Sequence, residues 1–393
     1  MTRAGPRARV KDFVHTYTRD LKADDLQRLF TRDTREAYRF FARHIDDRAL
    51  EGMPWHRRVV GRLRLFLQAF ALKLSPARRI VFGVSLLLAL IGLISLMQVG
   101  FVSRELGQVT MVLPGVVVPD GTLSLLVAFA LMNLLVLLEV ADRLSLKNDL
   151  EIAREIQQAM LPPGLYTAPG VETIGLSRPA NTVGGDFYDI LPRDDGRVAI
   201  AVGDVAGKGS PASLLMALSL AMMRTLIDEG LEPADLVGRL NVQVSRHAPG
   251  NRFITLFYGL YDPAKGDLIF VNAGHTPPLL MRATGGFDRL LDGGVALGMF
   301  DRSSYQLGRA SLQPGDLLAV YSDGITEAEN PKGVPFDERG LQKTLRANAK
   351  GDVASIGASV TRAVEAHTGD SRLADDLTVL LLRRTTTPAA PAA

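Results

Sequence analysis

Cysteine is absent from this chain of 393 residues. That excludes a disulfide framework, a thiolate metal site and a cysteine nucleophile. It fits a catalytic part kept in a reducing compartment. A G-x-S-x-G serine elbow is lacking too, so acyl-transfer chemistry of that type has no carrier. The net charge is small, 45 Lys and Arg against 42 Asp and Glu, but it is unevenly spread. Residues 1–79 carry 19 basic and 9 acidic side chains, and the remainder is net acidic. The basic charges of the first segment are scattered through mixed-sign, helix-patterned sequence. A membrane flank explains them more simply than a nucleic-acid arm, and no nucleic-acid partner is expected.

Long apolar runs, in contrast, are present. Ile80 to Val99 holds no charge, and about 20 residues suffice to cross the hydrocarbon. Thr122 to Val140 is a second such run. The first begins too far along the chain for a cleavable signal. Arg78 and Arg79 precede span one, Arg143 and Lys147 follow span two, and 100–121 contains one basic residue, Arg104. The positive-inside rule predicts a multi-pass protein of the cell membrane, with both termini cytoplasmic and a short external loop over 100–121. Asn133 is expected to hydrogen-bond between helices and Glu139 to snorkel to the headgroups.

The expected organisation is a basic helical cytoplasmic region over 1–79, with an amphipathic helix over 57–77 on the inner membrane surface. Spans follow at 80–99 and 122–140, then a linker helix within 141–163. On that helix Leu144, Leu150, Ile152, Ile156 and Met160 lie near one stripe, which suits a short coiled coil or a helix docked on the next domain. Pro162-Pro163-Gly164 stops it. From Val171 the hydrophobic period changes to that of strands, expected at 171–177, 186–192, 197–204, 253–261, 267–272, 278–283, 287–291, 315–322 and 377–384. Ser210-Pro211 reads as N-cap and first position of a buried helix reaching Glu229. Further helices are expected at 233–247, 337–347 and 352–367. Strands joined by short turns, with helices grouped, predict antiparallel sheets covered by helices over 164–384, an α+β domain. The tail 385–393 is expected to be disordered.

Most of the chemistry lies in four short acidic segments: Gly184-Gly185-Asp186-Phe187-Tyr188-Asp189, Gly203-Asp204-Val205-Ala206-Gly207-Lys208-Gly209, Ser322-Asp323-Gly324 and Asp375-Asp376. In each, a carboxylate sits where an apolar strand begins or ends. Asp is costly to desolvate and poor in strands, so its repetition there points to a charge partner. Hard divalent ions take such oxygen ligands. Asp186, Asp204, Asp323 and Asp375 are the candidate metal-ligating and catalytic residues, with the Val205 carbonyl as a further ligand. Two ions could activate water for direct attack on phosphorus, with no nucleophilic side chain. Lys208 in its glycine-rich loop does not make a P-loop. The glycine spacing is one residue short, and Gly209 stands where Ser or Thr would hold Mg2+. Asp189 reads equally well as an outer support of the site or as a solvent-facing carboxylate. His275 reads as a structural hydrogen-bonding group.

Taken in order and spacing, GGDFYD, GDVAGKG, NAGH (Asn272 to His275), YSDGITE and DDLTV resemble the metal-dependent protein phosphatases. Residues 150–384 are most similar to the bacterial SpoIIE/RsbU branch of the protein phosphatase 2C-like family, and EIAREIQQAMLP resembles the helix leading into that domain. The resemblance implies an α/β/β/α sandwich of two antiparallel sheets with two Mn2+ or Mg2+ ions between them. It implies hydrolysis of phosphoserine or phosphothreonine on a protein, in this branch commonly a STAS-type anti-anti-sigma protein. By motif, Asp186, Asp204, Val205, Asp323 and Asp375 bind metal, with Asp376 the second choice in the DD pair. It also implies a homodimer whose linker helix helps to position a metal ligand. The His that eukaryotic members carry beside the second ligand is absent here, and their phosphate-binding Arg has no secure counterpart, Arg178 being loosely placed. The alternative function is a phosphatase-shaped receptor or scaffold that binds a signalling partner without hydrolysis.

Overall fold

The computed structural model describes residues 54, 74–97, 101–106, 109–114, 121–248, 252–369 and 373–386. The expected basic helical region up to residue 73, its amphipathic helix and the C-terminal tail beyond 386 lie outside them. The chain forms two units, Met1–Leu144 and Ser145–Ala393.

In the first unit, α1 (Pro76–Met97) is followed by a hairpin of β1 (Phe101–Leu106) and β2 (Val109–Pro114), and then by the start of α2 (Gly121–Met160). The predicted 100–121 loop therefore contains two paired strands. Arg78, at the start of α1, reaches Asp142 at 2.7 Å and Glu139 at 3.5 Å. Arg143 also pairs with Glu139, at 3.2 Å. The Asn133 amide donates to the Phe129 carbonyl one turn back on its own helix, not to another helix. Span two and the linker helix form one continuous helix. Nothing at Val140-Ala141 interrupts helical geometry, and the helix continues to Met160, where Pro162 and Pro163 lie just beyond.

Among the described residues, three helices are long and apolar enough to cross a membrane: Pro76–Ser95, Thr122–Met160 and Ser210–Asp228. The third buries Ala212, Leu215, Met216, Leu220 and Met223 in the core of the second unit, which accounts for its apolar character.

The second unit is built from two sheets. One has the order β10 (Phe287–Arg289), β9 (Leu279–Met281), β13 (Leu317–Tyr321), β14 (Leu377–Arg384), β4 (Val171–Arg178), β3 (Leu165–Ala168). The other runs β11 (Gly293–Gly294), β8 (Asp267–Ala273), β7 (Ile254–Asp262), β6 (Val198–Val205), β5 (Phe187–Pro192), with β12 (Gly308–Ser311) also paired to β8. All pairings are antiparallel except β11 with β8, where Gly293 and Gly294 run parallel to Asn272 and Ala273. That short pair corrects the expectation of purely antiparallel sheets.

Side chains alternate across each strand. On β6, Val198, Ile200 and Val202 face the other sheet, while Ala199 and Ala201 face α3 (Ser210–Asp228) and α4 (Pro233–His247). On β13, Leu318 and Val320 face inward. Leu317, Ala319 and Tyr321 pack under α6 (Asp337–Ala347) and α7 (Val353–Thr368). Both faces of the central strands are thus covered, giving helix, sheet, sheet, helix. Each fully buried Leu, Ile or Val contributes about 1.5–3 kcal/mol. A strand buried on both faces admits a charge most easily at its ends, and there Asp186, Asp204, Asp323 and Asp375 stand. Helix α3 starts one residue away from the expected cap: Gly209, not Ser210, is the N-cap, and it makes no side-chain bond.

Candidate metal centre

Asp186 immediately precedes β5, Asp204 is the penultimate residue of β6, and Asp323 opens the single turn α5 (Asp323–Thr326) directly after β13. Asp375 lies two residues before β14. The two sheets deliver these ends to one place. Asp186 is buried, and burial followed by the Asp204 charge pushes its carboxyl well above the usual range. Burial, then the charge of Asp323, raises Asp204 to about 6, with a hydrogen bond from Asp186 opposing. Asp323 is raised by burial and by the charges of Glu327 and Asp375. These are the signs of anions gathered without enough positive charge.

The loop carrying Asp186 is held from two sides. Asp376 accepts from the N–H groups of Ala180 at 2.8 Å, Gly185 at 2.7 Å and Asp186 at 3.4 Å. From α2, buried Gln157 donates to the Gly184 carbonyl at 2.9 Å and accepts from the Gly184 N–H at 3.2 Å. A Cβ on Gly184 would overlap the Asp376 carboxylate, and one on Gly324 would overlap the Asp376 carbonyl. Both glycines permit close backbone approach. Val205 is buried, and its carbonyl faces Gly185. Ser322 ties β13 to β14: its Oγ donates to the Asp376 carbonyl at 3.2 Å and accepts from the Thr378 N–H at 3.0 Å.

Asp189 faces inward, not solvent. It is 1% exposed and held by Arg224 of α3 through contacts of 2.7 and 3.1 Å, while Arg224 also donates to the Met160 carbonyl at 2.8 Å. His275 is buried, with Nδ1 2.9 Å from Thr255 Oγ1, and burial lowers it to about 4. Burial thus holds the ring neutral at pH 7. Arg178 pairs with Glu365 of α7. Gln157, Arg224 and the anchoring role of Asp376 were not legible in the sequence. Gln157 sits among similar polar residues on a helix, and only its burial singles it out.

Among the described residues, no three carboxylate or imidazole side chains stand close enough to close a chelate. The acidic residues are together, but one of them, Asp375, is engaged by Lys208 at 2.9 Å. The residues nonetheless fit a divalent ion. Asp186 Oδ2 is buried without a hydrogen-bond partner, and every donor is a hard oxygen.

A two-sheet sandwich with helices on both outer faces is a PP2C-like α+β fold. Residues 194–385, just under half of the chain, match the family described as Stage II sporulation protein E (SpoIIE). Protein IcfG of Synechocystis sp. is 30% identical over 275 residues, covering 63% of this chain and 43% of IcfG. Phosphoserine phosphatase RsbU of Bacillus subtilis is 29% identical over 243 residues, covering 61% of this chain and 71% of RsbU. The chain thus spans less than half of IcfG and about seven-tenths of RsbU. Among solved structures, the SiaA-PP2C domain of Pseudomonas aeruginosa superposes with a TM-score of 0.54 at 23% identity, covering 62% of this chain and 98% of that domain.

Proposed function

We propose that this chain is a membrane-anchored phosphatase that hydrolyses phosphoserine or phosphothreonine on a regulatory protein, with a STAS-type protein as its substrate. The observation that carries the chemistry is the buried, unpartnered Asp186 oxygen at the closed end of a cluster of carboxylates. Asp186, Asp204, Asp323, Asp375 and the Val205 carbonyl would hold two Mn2+ or Mg2+ ions. When bound, such ions supply water activation and charge neutralisation for in-line phosphoryl hydrolysis. The chain's own residues place the ligands: Asp376 and Gln157 fix the Asp186 loop, and Ser322 joins the strands that bear Asp323 and Asp375. Similarity to RsbU, named a phosphoserine phosphatase, supports the substrate class. The STAS assignment rests on the likeness to that branch.

Membrane anchoring rests on α1 and the first half of α2, with the catalytic domain and both termini cytoplasmic. The two helices meet at Arg78, Glu139 and Asp142, so the two charged ends lie on the same side. On α2, Leu144, Ile152 and Ile156 are exposed while Gln157 is buried. That exposed apolar stripe supports pairing with a second copy as a homodimer. The buried Gln157 gives the helix a direct hold on the Asp186 loop, and through it a route for regulation.

The test is Mn2+-dependent hydrolysis of a phosphoserine protein by the full-length chain. Asp323→Asn is expected to lower kcat by about 100-fold or more while leaving the fold intact. Full activity in that variant would refute the assignment. Hydrolysis absent from the wild type, with Mn2+ still bound, would favour the receptor reading.

A further inference from the structure

Lys208 stands at the open mouth of the acidic cluster. Its Nζ lies 2.9 Å from Asp375 Oδ2 and donates to the Ala374 carbonyl at 2.6 Å. Its side chain is 54% exposed and that of Asp375 47%, so solute ions can reach the pair. The ammonium charge also falls on Asp376 and Asp323. At the closed end, by contrast, Asp186 Oδ2 is buried and unpartnered. Lys208 thus meets the cluster at its exposed edge, away from the buried Asp186 oxygen. The oxygen it holds belongs to a residue assigned above as a metal ligand.

Lysine is a compact point charge on a flexible stem. Gly207 and Gly209 flank it, with φ of 111° and 73° and open space around both. The Lys208 side chain itself is half exposed. Arg178, the other cation considered from the sequence, is already paired with Glu365. A phosphoryl dianion arriving at this mouth would meet Lys208.

We propose that Lys208 is an exchangeable counter-ion: it holds Asp375 in the metal-free protein, yields that carboxylate to a divalent cation, and then binds the phosphoryl group. The inference rests on the metal-dependent phosphatase reading and deepens it, because it names the residue that both competes with the metal and recognises the phosphate. Two cations cannot share one carboxylate oxygen without mutual repulsion. Removing Lys208 therefore favours the metal and disfavours the phosphate, effects of opposite sign from one side chain.

The experiment uses full-length protein in detergent, with Lys208→Met and Lys208→Arg. Calorimetry measures Mn2+ binding, and then binding of inorganic phosphate to the Mn2+-loaded protein. K208M is expected to bind Mn2+ about two- to fivefold more tightly, the size of a half-exposed ion pair. It should bind phosphate about fivefold or more weakly, because a charge-assisted hydrogen bond is lost. K208R should stay near the wild type in both. A lysine with a merely structural role would not move the two affinities in opposite directions. Equal Mn2+ affinity in K208M and wild type, or unchanged phosphate affinity, overturns the exchange alone. Absence of Mn2+ binding in every protein overturns the metal reading and this inference with it.

Discussion

Asp204→Asn is expected to abolish Mn2+-dependent hydrolysis and at the same time to make the metal-free protein more stable. Burial and the Asp323 charge raise the Asp204 carboxyl to about 6 in the fold, against 3.8 as its ordinary value. The folded state therefore binds a proton more tightly than the unfolded chain. By linkage, the contribution of this group to stability is full below pH ~4, falls as pH rises through about 6, and stays lost above it. Keeping the carboxylate ionised at pH 8 costs the metal-free fold on the order of 3 kcal/mol. An amide of the same shape removes that cost and also relieves Asp186, whose carboxyl the Asp204 charge pushes up. For a unit of this size, about 3 kcal/mol raises Tm by roughly 6–12 °C. Thermal melts in EDTA at pH 8 and pH 4.5 check the claim. The variant should melt higher at pH 8, and its advantage should shrink to about a third at pH 4.5. Added Mn2+ should then reverse the ranking. Saturation at about 1,000 times Kd stabilises the wild type by roughly 4.1 kcal/mol, more than the deficit, and does little for the variant. A variant no more stable than wild type at pH 8 would show that the carboxylates are not strained against one another.

Much of the catalytic domain could be read from the sequence because its strands are buried on both faces. Runs such as Val198–Val205 and Leu377–Arg384 are nearly continuous in apolar residues, and aspartates break the pattern only where strands end. The same contrast made Asp186, Asp204, Asp323 and Asp375 visible. What stayed hidden was the polar scaffold around them. Asp189 reads equally as a surface or a buried residue until Arg224, 35 positions away, is seen to face it. Gln157 and Gln158 are indistinguishable as letters, and helix α2 buries the first. The apolar stripe on α2 was legible, but its partner was not. Of that stripe, Ile152 and Ile156 are exposed, and the domain receives its last member, Met160, together with Gln157. Local pattern reports periodicity, and only tertiary contact decides which face of a helix is used.

The adjacent pair Asp375-Asp376 provides the sharpest separation of roles, since neighbouring residues of one type should fail in different ways. Asp376 accepts three backbone N–H groups, from Ala180, Gly185 and Asp186. Asp376→Ala leaves those donors without an acceptor, at about 1–3 kcal/mol for each one that water cannot reach. It also releases the loop that carries Asp186, so stability and Mn2+ affinity should fall together. Asp376→Asn should be only partly protective, because its NH2 group would face an N–H donor where an oxygen now accepts. Asp375, in contrast, is half exposed, and its side chain pairs with Lys208. Asp375→Asn should change stability by no more than about 0.5 kcal/mol, as surface substitutions do, yet remove Mn2+-dependent turnover. Denaturant melts without metal, set beside Mn2+ titrations of the same proteins, resolve the two. If Asp376→Asn loses Mn2+ with its stability intact while Asp375→Asn still binds Mn2+, the roles are reversed, and the carboxylate that now braces the loop is the one that meets the ion.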